Sequence, residues 1–136
     1  MNNGALKIGD DFIVDRNFKV KDLKLVEKKY SISPVVINDI YKSYKTNPIL
    51  FYGELVAFTL YFENDLIVKV SMYIKKDSGS VWLLDTKQNE MDNVQYQDKW
   101  LFGILKAKSP YIYQWGRIES IYDQRAGYSS VVIRYL

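Results

Sequence analysis

Between Ile49 and Ile74 the chain reads ILFYGELVAFTLYFENDLIVKVSMYI, two runs of strand-forming residues around Glu63-Asn64-Asp65-Leu66. The pattern predicts a long antiparallel hairpin over 49–75, with Asn64-Asp65 as a two-residue turn that lacks the usual Gly. Placing Glu63 opposite Leu66 pairs Tyr61 with Val68, Thr59 with Val70, Ala57 with Met72 and Leu55 with Ile74, an apolar face throughout. The reverse face carries Val56, Phe58, Leu60 and Phe62 beside Ile67, Lys69, Ser71 and Tyr73, and it too is far from polar. Strands apolar on both sides belong at the centre of a sheet. A helix covers one side; curling, a second layer or a partner covers the other.

The rest of the chain has to supply that cover. DFIVD (Asp11 to Asp15) reads as a short strand. Phe18 to Tyr30 is ambiguous between strand and helix and leans to strand, then turn. Ser33 as a cap and Pro34 in a first turn start a helix that should run from Pro34 to Lys45 and end at Asn47-Pro48. Its apolar face would be Val36, Ile37, Ile40, Tyr41 and Tyr44. After a turn at Lys76–Gly79, SVWLLD (Ser80 to Asp85) reads as a third strand and TKQNEMDN as a loop. Asp92 or Asn93 can cap a second helix that turns Val94, Trp100, Leu101, Ile104 and Leu105 inward and stops before Ser109-Pro110. The order implies an α+β fold: a strongly bent antiparallel sheet of about six strands, two main helices and a C-terminal β-hairpin. At 136 residues, without a linker or an internal repeat, a single domain over 1–136 is expected.

Composition removes whole classes of chemistry. There is no Cys and no His. Disulfides, thiolate nucleophiles, ordinary structural zinc and the imidazole base of a triad are therefore excluded. No GxGxxG or GxxxxGK[ST] occurs, and adjacent Asp10 and Asp11 with Asp15 lack EF-hand spacing. We expect no catalytic residues, no cofactor and no metal. The longest apolar run, Ile49 to Phe62, is fourteen residues and carries Glu54. That is short of the roughly 20 needed to span a membrane, and the first residues show no signal peptide. A cytoplasmic protein without a membrane association is expected. The net charge is +3, with the densest basic cluster in RNFKVKDLKLVEKK (residues 16–29). Such a run is a solvated face more often than a phosphate footprint.

The C-terminal stretch is the richest in recognition chemistry. Tyr111–Tyr122 and Tyr128–Leu136 read as the last hairpin, closed by Gln124-Arg125-Ala126-Gly127. Asp123 then faces Tyr128, and Ile118, Ser120 and Tyr122 share an apolar face with Val131, Ile133 and Tyr135. Gly127 can close the loop at positive φ, and Asp123 can accept backbone N–H groups there. The same register sets Arg117 opposite Arg134, a repulsion that Glu119 can offset from a diagonal position. Gly116 leaves room for a ring or another backbone. Mainly this is a hairpin. Its functional reading is a recognition face of Tyr111, Tyr113, Trp115, Arg117, Glu119, Arg125 and Arg134, since Trp, Tyr and Arg dominate binding hot spots. The chain has 12 Tyr, six of them at or after Tyr96, which suits either sheet packing or a contact surface.

In size, in its His- and Cys-free composition, in its bent α+β pattern and in its aromatic C-terminal hairpin, the chain resembles the small immunity proteins that bacteria pair with secreted or contact-delivered toxins. That resemblance implies a non-catalytic protein-binding module that neutralises a cognate toxin by occluding it. Immunity proteins against nucleases are often acidic; a chain at +3 implies a different toxin chemistry or a local acidic patch. The alternative is a nucleic-acid-binding domain, with KAKSPYIYQWGR (Lys106 to Arg117) interleaving bases and rings on a curved sheet. A third is a ligand pocket or carboxylate-based site between sheet and helices.

Overall fold

The computed structural model describes residues 1–74, 87–123 and 128–136. The elements are β1 (Leu6–Gly9), β2 (Phe12–Val14), α1 (Val20–Lys24), β3 (Ser33–Ile37), β4 (Tyr41–Lys45), β5 (Ile49–Phe51), β6 (Glu54–Glu63), β7 (Leu66–Ile74), α2 (Lys87–Leu105), β8 (Tyr111–Tyr113), β9 (Gly116–Asp123) and β10 (Tyr128–Tyr135). β1 and β2 form their own ladder. The other eight make one antiparallel sheet in the order β3-β4-β6-β7-β10-β9-β8, with β5 also paired to β6. The class is α+β, but the main sheet has eight strands where about six were expected. The strand expected at Ser80–Asp85 and the loop Gln124–Gly127 lie outside the described residues.

The helix expected from Pro34 to Lys45 is instead the β3–β4 hairpin. Three consecutive β-branched residues, Val35, Val36 and Ile37, are stiff at χ1 and favour a pleated strand. Asn38 then reverses the chain, its Oδ1 accepting from the N–H groups of Ile40 at 3.1 Å and Tyr41 at 2.7 Å. Pro34 fits because β3 is an edge strand, where a missing donor costs no ladder bond. The helical face that spacing suggested is largely exposed: among Val36, Ile37, Ile40, Tyr41 and Tyr44 only Tyr44 is buried.

Residues 18–30 resolve the other way. The Asp22 carboxylate accepts the Lys19 N–H at 2.9 Å and starts α1, which buries Leu23. Phe18 and Val26 are buried beside it. α2 begins at Lys87, well before Asp92 or Asn93, because Lys, Gln, Glu and Met are helix formers however polar the run looks. Leu101 and Leu105 are buried on its inner stripe, as is Gln97, which the sequence did not suggest.

One unexpected turn and one expected turn divide the region 49–74. Tyr52 and Gly53, both at positive φ, close a tight hairpin between β5 and β6, so 49–74 is three strands and not two. Asn64 and Asp65, also both at positive φ, make the β6–β7 turn without Gly, and Glu63 faces Leu66 as expected. Beyond it, a bulge at Val68 shifts the ladder by one: Tyr61 pairs with Lys69, Thr59 with Ser71 and Ala57 with Tyr73. The shift aligns Val56, Phe58 and Leu60 with Ile74, Met72 and Val70, all six buried.

One row across the sheet then forms the heart of the core. Tyr44, Leu60, Val70, Ile133, Ile118 and Tyr111 are register neighbours from β4 to β8, and each is buried. α2 packs over β9 and β10 on this side. The N-terminal hairpin and α1 join the same core, with Phe18 stacked near Phe12 at 5.9 Å and Phe62 at 6.3 Å.

Candidate functional site: a cationic groove across the sheet

Side chains alternate between the two faces of a sheet, so the row next to the core row points the opposite way. It reads Val36, Ser43, Tyr61, Lys69, Arg134, Arg117 and Ile112, one residue from each of the seven strands from β3 to β8. All seven line one groove of about 700 Å³. Laid flat, seven strands would span roughly 29 Å between their edges, so a groove of this volume shared by both edge strands requires the sheet to bend around it. This cavity is not between sheet and helices, where a ligand pocket was considered, but on the side away from α2.

Four cationic side chains line the groove (Lys42, Lys69, Arg117 and Arg134), with no acidic side chain among the described lining residues. Three of the four, Lys69, Arg134 and Arg117, lie directly opposite one another on β7, β10 and β9. Like charges facing each other across strands destabilise a sheet. Glu119 partly offsets this: its Oε1 lies 3.1 Å from Arg117 Nε and its Oε2 3.6 Å from Arg134 Nε. The Arg134 Nε is buried and has no hydrogen-bond partner. Lys69 Nζ sits 4.2 Å from the centre of the Tyr61 ring, and Lys42 pairs with Asp65 at 2.6 Å. Three cations in register cost the sheet stability that one bridging carboxylate only partly offsets.

The seven residues expected to form a recognition face are distributed as follows. The Arg117–Arg134 pairing and the bridging Glu119 are as the sequence suggested, and Tyr113, Arg117 and Arg134 line the groove. Tyr111 does not join them; it is buried in the core row and donates its hydroxyl to Ala107 O at 3.0 Å. Trp115 faces a separate cleft of about 270 Å³ beside Asn3, Gly4 and Asp15. Its indole stacks on Tyr113 at 5.1 Å and donates from Nε1 to Asn2 O at 2.8 Å, so it fastens the N-terminal segment to the β8–β9 turn. Arg125 lies outside the described residues. Gly116 admits another backbone, that of Arg134.

Sequence reasoning missed two groove cations, Lys42, which fell in the expected helix, and Lys69. In a hairpin without the bulge Lys69 falls on the face of Phe58 and Leu60; the extra residue Val68 moves it to the face of Tyr61, and the β7–β10 ladder sets it beside Arg134. A Lys inside an otherwise apolar strand was the available signal. Asp10, Asp11 and Asp15, weighed as a cation site, have other roles. Asp10 pairs with Lys7 at 3.5 Å. Asp11 accepts from Tyr30 Oη at 2.6 Å and Lys29 Nζ at 2.9 Å. Asp15 accepts the Asn17 N–H at 2.9 Å. Among the described residues no group of acids is placed to hold a metal ion, and no helix is long and apolar enough to cross a membrane.

The titratable groups fix how stability should respond to pH. Burial pushes the Tyr135 hydroxyl far above the usual phenol range, and burial also raises Tyr111. Hydrogen bonds to Asp11 and Glu54 raise Tyr30 and Tyr96. A folded-state value above the unfolded one stabilises fully below the unfolded phenol value of about 10, and that stability is lost as pH rises through the folded values. Asp11 is held low by its bonds from Tyr30 and Lys29, so its contribution is lost only as pH falls through the carboxylate range. The thermal midpoint should therefore hold level from about pH 5 to 9 and drop above about 10, with the Tyr135 and Tyr111 hydroxyls ionising only above the usual phenol range. A midpoint that falls between pH 6 and 8 would contradict this.

No protein-family model matches the chain, and no curated protein matches it in sequence.

Proposed function

We propose that this chain is a non-catalytic binding module whose groove holds an acidic segment of a partner protein. The observation that carries this is the charge of the groove: four cations line about 700 Å³ and outnumber the carboxylates they pair with, Asp65 on Lys42 and Glu119 between Arg117 and Arg134. Charge complementarity sets which partners approach and how fast, and planar guanidinium pairs suit carboxylates. The absence of imidazole and thiol from the chain supports binding over turnover. Nucleic acid would also meet positive charge here, but stacking needs free rings. Tyr111 is buried, and Tyr113 and Trp115 stack on each other.

In its specific form the proposal takes the partner to be a bacterial toxin that this chain, acting in the cytoplasm, neutralises by occlusion, as the resemblance to immunity proteins implies. A positive groove suits an acidic toxin surface and explains how a basic chain could serve that role. A toxin domain encoded beside this reading frame would support it.

Arg117→Glu combined with Arg134→Glu tests the site. Both side chains are substantially exposed, at 53% and 40%, so the fold should survive, as circular dichroism would show. Affinity for a partner isolated from the native host should fall about 30-fold, roughly 2 kcal/mol. An unchanged dissociation constant, or binding to single-stranded nucleic acid that collapses between low and moderate salt, would overturn the proposal.

A further inference from the structure

The groove opens at one side onto β3, and β3 is unusual for an edge strand. All five of its residues are exposed, with Val35 at 53%, Val36 at 50% and Ile37 at 52%. It pairs with β4 on one side, and among the described residues nothing pairs with its other edge. The run Ser31–Ile37 (SISPVVI) carries no charge. Folded proteins normally blunt such an edge with Lys, Pro, a bulge or a cover, because bare N–H and C=O groups beside apolar side chains recruit another strand. Here only Pro34 and a bulge between Pro34 and Val36 do so, which leaves Val36 and Ile37 open.

We infer that β3 is a strand-addition site: the acidic segment held by the groove is bound in extended form, hydrogen-bonded along the free edge of β3. This rests on the groove being the partner site. The two surfaces are continuous, since Val36 belongs to β3 and lines the groove. Main-chain bonds to the edge supply affinity while alternate side chains of the guest supply selectivity. A guest strand that sends every second side chain to the groove face would present its carboxylates toward the side occupied by Lys69, Arg134 and Arg117. A second copy of this chain fits less well. A stable interface engages about 20–30 residues a side, whereas β3 against β3 would engage five, with no acid to meet the groove.

The test uses the full chain and defined probes. A fluorescein-labelled, end-capped octapeptide of alternating Val and Glu is titrated against the protein. Three further probes are the same peptide with alternate amides N-methylated in each of the two phases, which removes donors from one edge or the other without changing charge, and a Val/Lys counterpart. Strand addition predicts that the Val/Glu peptide binds and that N-methylation of the amides facing β3 weakens it at least tenfold. Bound peptide should also slow hydrogen exchange at whichever of Val36 and Ile37 directs its N–H away from β4. Equal binding of the N-methylated peptide in both methylation phases, lost in the Arg117→Glu/Arg134→Glu protein, would overturn strand addition and leave the groove as the site. Binding of the Val/Lys peptide as tightly as the Val/Glu one would overturn the groove itself. No binding of the Val/Glu peptide at millimolar concentration would overturn both.

Discussion

Gly116→Val should destabilise the protein by about 3–5 kcal/mol, a fall in thermal midpoint on the order of 10–15 °C for a chain of this length. Gly116 begins β9 at a φ of +153°, and a β-carbon there would lie 2.0 Å from the Arg134 carbonyl oxygen and 3.1 Å from Tyr135 Cα. Both obstacles are backbone, so no side chain can turn aside to relieve the clash. What must give is the pairing of Gly116 with Tyr135. That pairing holds the Leu136 N–H on Trp115 O at 3.0 Å and brings the Tyr135 ring beside Trp115 at 5.7 Å. The variant should therefore lose the cover of the N-terminal segment as well as ladder bonds. Gly116→Ala meets the same carbonyl and should cost nearly as much. Denaturant unfolding measures both, and a Gly116→Ala protein within 0.5 kcal/mol of the parent would show that β9 and β10 do not approach this closely.

What could be read from the sequence depended on how local the deciding interaction is. The β9–β10 register, including Arg117 opposite Arg134 and Glu119 between them, follows from a period-two apolar pattern with nothing interrupting it, and it was legible. At 34–45 local signals conflicted: Ser33-Pro34 suits a helix start, whereas Val35-Val36-Ile37 suits a strand. The contact that decided between them, β4 lying along β6, is far away in sequence. The bulge at Val68 is subtler, because inserting one residue into a strand apolar on both sides leaves no trace in its hydrophobicity. Its consequence was large. It placed Lys69 in the groove, so the site was legible only in its Arg117–Arg134–Glu119 half. Trp115 and Tyr111 show the converse. Their residue types suit a contact surface, yet the turn before Gly116 folds β8 back on β9 and commits one ring to the core and the other to the N-terminal segment.

The same bulge yields a second large effect that sets one face of β6 against the other. Phe58→Ala should destabilise by about 3–5 kcal/mol, whereas Leu55→Ala should cost less than about 1 kcal/mol. Phe58 is fully buried, edge-on to Phe51 at 5.3 Å and opposite Met72, so removing its ring opens a cavity between β5 and β7 that rigid strand neighbours cannot fill. Leu55 is 44% exposed and keeps much of its surface in water before and after truncation. A bulge-free ladder makes the opposite assignment natural, because it gives the face of Leu55, Ala57 and Thr59 the apolar partners Ile74, Met72 and Val70. The two substitutions therefore discriminate between registers differing by a single residue at Val68. Urea midpoints with unchanged slope for both variants would make the comparison one of stability alone. Equal losses, or the larger loss at Leu55, would mean that the ladder runs without its bulge. Lys69 would then share the face of Phe58 and Leu60 and no longer that of Tyr61, and the row that crosses the groove would break between β6 and β7.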